Sequence, residues 1–160
     1  GGRQYSLSAP GLLGSAQELE ALRGQREVAH IFSLFQNISL SVSGIGSFYP
    51  RPTSPLSRLP YLTEGEYTAL VKHQPYGDLM LRFIDSNGTE CESELVSRTL
   101  AIDMESYLRI PRKLIVASGC EKSHTLKAAL RGQLADVLII DSALARALYD
   151  IGGDVPAYGE

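Results

Sequence analysis

Two short apolar runs in the last third of the chain constrain its fold most. Leu114-Ile115-Val116-Ala117 and Val137-Leu138-Ile139-Ile140 each end in a break, Ser118-Gly119 after the first and Asp141-Ser142 after the second. Runs this short suit strands better than buried helices. Between them, from about Lys122 to Arg131, Leu126, Ala129 and Leu130 fall on one helical face, and Gly132 follows where glycine ends helices. A closing helix is expected from Ser142 to Tyr149, with Asp141-Ser142 as its N-cap. Strand, helix, strand, helix is a βαβα unit, with parallel strands and a right-handed crossover. Continuous apolar runs predict strands buried on both faces. The expected class is therefore α/β, a mostly parallel sheet with helices on both faces.

Upstream, Asn37 to Ser43 alternates apolar and small residues and reads as a third strand, running into Gly44-Ile45-Gly46-Ser47. Tyr5-Ser6-Leu7-Ser8 reads as a short strand closed by Ala9-Pro10-Gly11. Ser15-Ala16-Gln17-Glu18 is a capping box that opens a helix. Val28, Ile31, Phe32 and Phe35 form an i, i+3, i+4, i+7 stripe on a second helix, and the two helices should cover one side of a core. Phe48 to Pro60 holds four prolines and is expected to be a loop. A second capping box, Thr63-Glu64-Gly65-Glu66, opens a helix through about Lys72. Asp78 to Ile84 reads as one strand, ending in the turn Asp85-Ser86-Asn87-Gly88. Its antiparallel return is expected within Cys91 to Ala101, making a small hairpin insertion, and a short helix is expected near Asp103 to Leu108. The tail from Gly152 to Glu160 has little to pack and should be loose.

Composition excludes several classes. With 160 residues, 44% hydrophobic and 21% charged, the chain is the size and type of one globular domain, not a disordered or fibrous segment. The apolar runs fall far short of the ~20 residues of a membrane span. A formal charge of −3 lacks the basic footprint of a nucleic-acid binder. Cys91 and Cys120 form no CxxC, and His30, His73 and His124 share no metal-ligand spacing. Two reduced thiols in a cytosolic protein, with no metal site, are expected. No GxSxG, HExxH or Walker pattern is present.

Open parallel sheets bind ligands at the carboxyl ends of their strands. Three such ends are legible. At Gly44-Ile45-Gly46-Ser47, glycines allow close backbone approach and amides that point at an anion, although a tight turn explains them equally well. At Ser118-Gly119-Cys120-Glu121-Lys122, amides opening a helix favour negative charge. A lysine there opposes the helix dipole unless an anion lies between, and a solvated surface lysine is the plain alternative. At Tyr76-Gly77-Asp78, the carboxylate can accept from sugar hydroxyls, although a turn aspartate capping its own backbone is the plainer reading.

Taken in order, several segments resemble the sugar-binding domain of SorC/DeoR-type bacterial transcriptional regulators. They are Gly44-Ile45-Gly46-Ser47, Gly77-Asp78-Leu79, Phe83-Ile84-Asp85-x-Asn87-Gly88, Ile115-Val116-Ala117-Ser118-Gly119-x-x-Lys122, Leu126-x-Ala128-Ala129-Leu130-Arg131-Gly132, and Val137 to Leu148. The resemblance implies a Rossmann-like effector domain, similar in fold to glucosamine-6-phosphate deaminase and ribose-5-phosphate isomerase, without catalysis and without a cofactor. It implies a phosphorylated sugar as ligand, with Lys122 at the phosphate and Asp78 at the hydroxyls. Gly44, Gly46, Ser47, Gly77 and Gly119 would complete the cleft. It also implies a homo-oligomer, dimer or tetramer, that is cytoplasmic, makes no membrane contact, and meets DNA through a helix-turn-helix domain ahead of this one. The sequence departs from the family in two ways. Ser118-Gly119 replaces a glycine pair, and the family's domain is longer. Residues 1–150 are thus expected to be the later part of an effector domain whose first strands and phosphate loop precede residue 1, with 151–160 a tail. One alternative is a sugar-phosphate isomerase, deaminase or lactonase on the same fold, with Asp78 and Glu121 as acid or base. A bare oligomerisation module is another.

Overall fold

The computed structural model describes residues 2–57 and 61–152. Most of the expected loose tail, residues 153–160, and the end of the proline-rich loop at Pro60 lie outside the described residues. At Ile151 and Gly152 the chain is still held, because Lys127 Nζ donates to both carbonyls at 2.8 and 2.7 Å.

The βαβα unit forms as its sequence demands. β5 (Arg112–Ala117) leads through a 3-10 turn, Cys120–Lys122, into α5 (Ser123–Arg131), then β6 (Val137–Ile140) and α6 (Ser142–Asp150). β1 (Leu40–Ser43) pairs parallel with β5 on the other side, giving a three-stranded parallel sheet in the order β1-β5-β6. Asp141 caps α6, its Oδ1 accepting from Leu144 N at 2.7 Å. The inner face of the sheet, with Ile115 and Ala117, packs on Leu126, Ala129, Leu134 and Leu144 in the main core.

The outer face differs from expectation. Leu40, Val42, Val116 and Ile139 lie on it in register and are 50, 65, 44 and 53% exposed. Among the described residues no helix covers this side, so strands that read as buried on both faces are buried on one.

The second sheet is antiparallel, in the order β2-β3-β4: β2 (Gly46–Ser47), β3 (Gly77–Leu79) and β4 (Arg82–Ile84). Asp78 to Ile84 is therefore a hairpin, not one strand. It turns at Met80 and Leu81, whose φ values of 51° and 65° are left-handed. Neither residue is the glycine or asparagine that usually marks such a turn, which is why the sequence hides it. The antiparallel return is reduced to one bridge, Glu90 to Ile84, with Cys91 N donating to Phe83 O at 2.8 Å; beyond it segment 91–101 forms no strand, holds a 3-10 turn, Val96–Arg98, and bridges from Thr99 to Leu12. The Asn87-Gly88 turn does form, with Gly88 at φ 78°.

Residues 5–8 form no strand. α1 (Ala16–Arg23) starts at Ser15 as expected, but Glu18 reaches back to Gly14 N instead of Ser15 N. α2 (Arg26–Leu34) and α1 cover a small separate core around Leu19, Val28 and Leu100, and of the α2 stripe only Phe35, just past its end, packs on the main core. α3 (Glu64–Val71) shows both halves of its capping box, and Asp103 caps α4 (Met104–Leu108). Gly132 follows α5, but the left-handed residue is Gln133, at φ 56°. Leu134 N donates to Ala129 O and Gln133 N to Leu130 O, the bonding of a Schellman cap. Gly132 is small for another reason: a Cβ there would come within 2.8 Å of the Gly88 carbonyl oxygen.

Candidate functional site

The end of β1 runs through Gly44-Ile45 directly into β2, and β2 packs against β3, the start of α5 and the turn Cys120–Lys122. The three segments picked out in the sequence therefore meet, but only Gly44-Ile45 and residues 118–122 follow parallel strands; Gly46-Ser47 and Gly77-Asp78 lie within the antiparallel sheet and are not strand ends of the parallel one. Gly46 pairs with Asp78 and Ser47 with Gly77. The glycines at this junction are dictated by packing. A Cβ on Gly46 would stand 2.3 Å from Asp78 Oδ1, and one on Gly77 would stand 2.1 Å from the Gly46 carbonyl oxygen. A Cβ on Gly44 would meet only the Val116 carbonyl oxygen, at 4.0 Å, and would fit without strain.

Asp78 carries the chemistry of this junction. Its Oδ1 is buried and has no hydrogen-bond partner among the described residues. Burial pushes the carboxyl above the usual carboxylate range, with the Ser54 hydroxyl partly opposing. An unpaired buried acceptor is costly in an empty site and favourable once a hydroxyl donates to it.

Ser47 is fully buried, and its hydroxyl donates to Tyr49 O and Arg51 O, both at 3.1 Å. It pins the proline-rich loop and points no group at a ligand. Gly119 is left-handed at φ 97°, and its amide donates to Asp141 Oδ2 at 2.8 Å. That amide is already engaged, so it does not offer itself to an anion. Lys122 closes the 3-10 turn and is the residue before α5, not a member of its first turn. It is half-buried, and its ammonium makes no hydrogen bond or ion pair among the described residues. Hydrogen bonds from the Leu144 and Gly119 amides, with Lys122 as a weaker contributor, hold Asp141 below its ordinary range.

Two neighbours, Thr125 and Ser54, escaped the sequence reading, as did the second contact made by Asp141. Thr125 Oγ1 donates to Tyr76 O at 2.6 Å and ties α5 to β3. Ser54 sits beside Asp78, and Asp141 fixes Gly119 while capping α6. Thr125 and Ser54 come from segments with no motif, so only their three-dimensional neighbours reveal them. Both cysteines are free. Among the described residues no cluster of three His, Cys, Asp or Glu side chains is arranged to hold a metal ion, and no helix is long and apolar enough to cross a membrane. A larger open depression of about 710 Å³, between residues 88–97 and α4, contains none of the predicted residues.

The fold is an α/β domain in which the end of β1, the start of β3 and the turn after β5 come together around β2. A family model described as "Putative sugar-binding domain" matches residues 1–150, so the chain belongs to that sugar-binding domain family. The deoxyribonucleoside regulator of Bacillus subtilis (strain 168) is 32% identical over 142 residues, 89% of this chain and 44% of that protein. The crystal structure of a transcriptional regulator from Streptococcus pneumoniae TIGR4 matches with a TM-score of 0.81 at 28% identity, over 92% of this chain and 56% of that one. The full-length sorbitol operon regulator SorC from Klebsiella pneumoniae matches with a TM-score of 0.79 at 23% identity, over 89% of this chain and 46% of that one, a likeness of fold. The resemblance to SorC/DeoR-type regulators drawn from the motifs holds, and the chain spans about half the length of the proteins it matches.

Proposed function

We propose that this chain is the effector-sensing part of a bacterial DNA-binding transcriptional regulator and binds a phosphorylated sugar without converting it. One observation carries the proposal: segments distant in sequence meet around β2, one bearing Asp78, whose buried Oδ1 has no hydrogen-bond partner, and another the turn that bears Lys122, whose ammonium has none among the described residues. Asp78 accepts from sugar hydroxyls. Lys122, with the first amides of α5, holds the phosphate. Gly44, Gly46 and Gly77 keep side chains out of the space between, and Gly119, fixed by Asp141, shapes the turn that presents Lys122. The regulator is cytoplasmic and self-associates as a dimer or tetramer. It meets DNA through a separate helix-turn-helix domain, and the effector changes how subunits assemble.

Residues 1–150 are, on the same proposal, the later part of a larger effector domain. The bare outer face of the parallel sheet supports this, because parallel sheets are ordinarily covered on both sides.

Isothermal titration of the full-length protein with a panel of sugar phosphates tests the reading. Binding by at least one member is expected. Lys122→Ala should weaken it by about 2 kcal/mol, roughly thirtyfold, the worth of a charge-assisted hydrogen bond. A panel without any binder refutes the proposal, and unchanged affinity in Lys122→Ala refutes the role of the lysine. The raised carboxyl of Asp78 favours one second reading, an isomerase or deaminase with Asp78 and Glu121 as acid or base. Conversion of ribose 5-phosphate or glucosamine 6-phosphate would replace the first reading by the second.

A further inference from the structure

Each of the three converging segments carries an aromatic or imidazole ring two residues from a predicted site residue: Tyr49 after Ser47, Tyr76 before Asp78, and His124 after Lys122. The structure gathers these rings. Tyr49 stacks on Tyr76 with centroids 4.9 Å apart, and His124 stands edge-on to both, at 5.0 and 6.2 Å. The backbone beneath them is pinned. The Tyr76 carbonyl accepts from Phe48 N and Tyr49 N, both at 3.0 Å, and from Thr125 Oγ1. The Ser47 hydroxyl holds the Tyr49 carbonyl. Tyr49 is 46% exposed, and an open groove of about 560 Å³ runs beside it, lined by Tyr49 and Tyr76 together with Phe48, Tyr67, Val71 and Gln74 among others, with His124 behind the two rings and not in the groove wall.

An aromatic face is apolar and electron-rich, and it complements the C–H face of a sugar ring as a carboxylate complements its hydroxyls. Resting on the sugar-phosphate reading above, we propose that Tyr49, Tyr76 and His124 form a platform that takes the effector's sugar as a closed ring. Asp78, two residues beyond Tyr76, keeps its role as acceptor for the hydroxyls. An open-chain polyol phosphate presents no fixed C–H face and gains less from the platform.

The test titrates the full-length protein with aldose phosphates, their matched reduced alditol phosphates, and inorganic phosphate. The tightest aldose phosphate should bind about tenfold more strongly than its alditol. Tyr49→Leu and Tyr76→Leu should each lose about tenfold for the aldose phosphate and nothing for inorganic phosphate. Tyr49→Phe, which keeps the ring, should retain affinity. Tyr49 is half in solvent, so Tyr49→Leu should fold even where Tyr76→Leu does not, and a thermal melt checks this. Equal aldose affinity in Tyr49→Leu, or an alditol phosphate that binds as tightly as its aldose, overturns the platform alone. If wild-type protein binds none of the sugar phosphates, the sugar-phosphate reading fails and takes the platform with it.

Discussion

Alanine at Gly77 should destabilise the protein and open its site, whereas alanine at Gly65 should stabilise it. A Cβ on Gly77 would stand 2.1 Å from the Gly46 carbonyl oxygen and 2.1 Å from Thr125 Cγ2. Ordinary contact begins at 3.4 Å, so about 1.3 Å of displacement is needed. Thr125 can rotate away only by giving up its 2.6 Å bond to Tyr76 O. The Gly46 oxygen cannot rotate at all, because it is backbone within the β2–β3 pair. The cost should therefore fall toward the upper end of the ~1–3 kcal/mol of an overpacked core. At roughly 2–4 °C per kcal/mol for a chain of this size, the melting midpoint drops by about 5–10 °C. Gly65 lies within α3, and nothing within 4 Å would meet its Cβ. Alanine there gains about 0.5–1 kcal/mol from reduced chain entropy, a rise of a few degrees. Thermal melts by circular dichroism read both, and sugar-phosphate titration of Gly77→Ala should show the loss of Asp78 register as weaker binding. A Gly77→Ala protein that melts at or above the wild-type midpoint would refute the claim that close approach demands this glycine.

Two further outcomes follow from burial. The folded protein keeps the Asp78 proton at pH values where the unfolded chain has lost it, because burial raises the folded pKa. Stability therefore falls as pH rises from the unfolded carboxylate range through the folded pKa. Asp78→Asn removes that loss. Its denaturant midpoint should exceed wild type at neutral pH and converge with it near about pH 3, while sugar-phosphate binding weakens; an advantage that persists undiminished in acid would rule out burial as its cause. For the bare sheet face, the 160-residue chain should bind the apolar dye ANS, and a longer polypeptide that covers Val42, Val116 and Ile139 should bind much less. Equal dye binding by the two would count against that cover.

The parts of the fold legible in the sequence were those with local causes. Ser15, Thr63 and Asp141 each accept from the backbone amide three residues on, as their residues alone indicate, and Asp103 does the same at the start of the short helix expected there. The parallel strands were legible from composition, but their covering was not. Val116 and Ile139 are as apolar as Ile115, and nothing in an unbroken apolar run distinguishes the residue that meets Leu126 from the one that meets water. The Met80-Leu81 turn was illegible because pairing of Gly77 with Ile84 imposes left-handed backbone on residues with no preference for it. Tertiary pairing there outweighed local propensity, and the segment's composition still read as one strand.

The site was legible only by halves, for a related reason. Glycine marked the places where backbones approach, and at Gly46 and Gly77 the cause is a neighbouring backbone or carboxyl that leaves no room for a Cβ. Such glycines locate a junction without saying what it faces. The tyrosine rings stand two residues from Ser47 and Asp78, not from the glycines, and along extended backbone that spacing returns a side chain to the same side. Tyr76 thus accompanies Asp78, and Tyr49 accompanies the buried Ser47 as the chain leaves β2. His124 joins them from α5 by another route, since the 3-10 turn at Cys120–Lys122 and the Thr125 bond to Tyr76 O set the helix against β3. No spacing in one segment encodes a ring cluster assembled from three. Its order follows from sheet pairing, and the sheet pairing follows from glycines that could be read in the sequence.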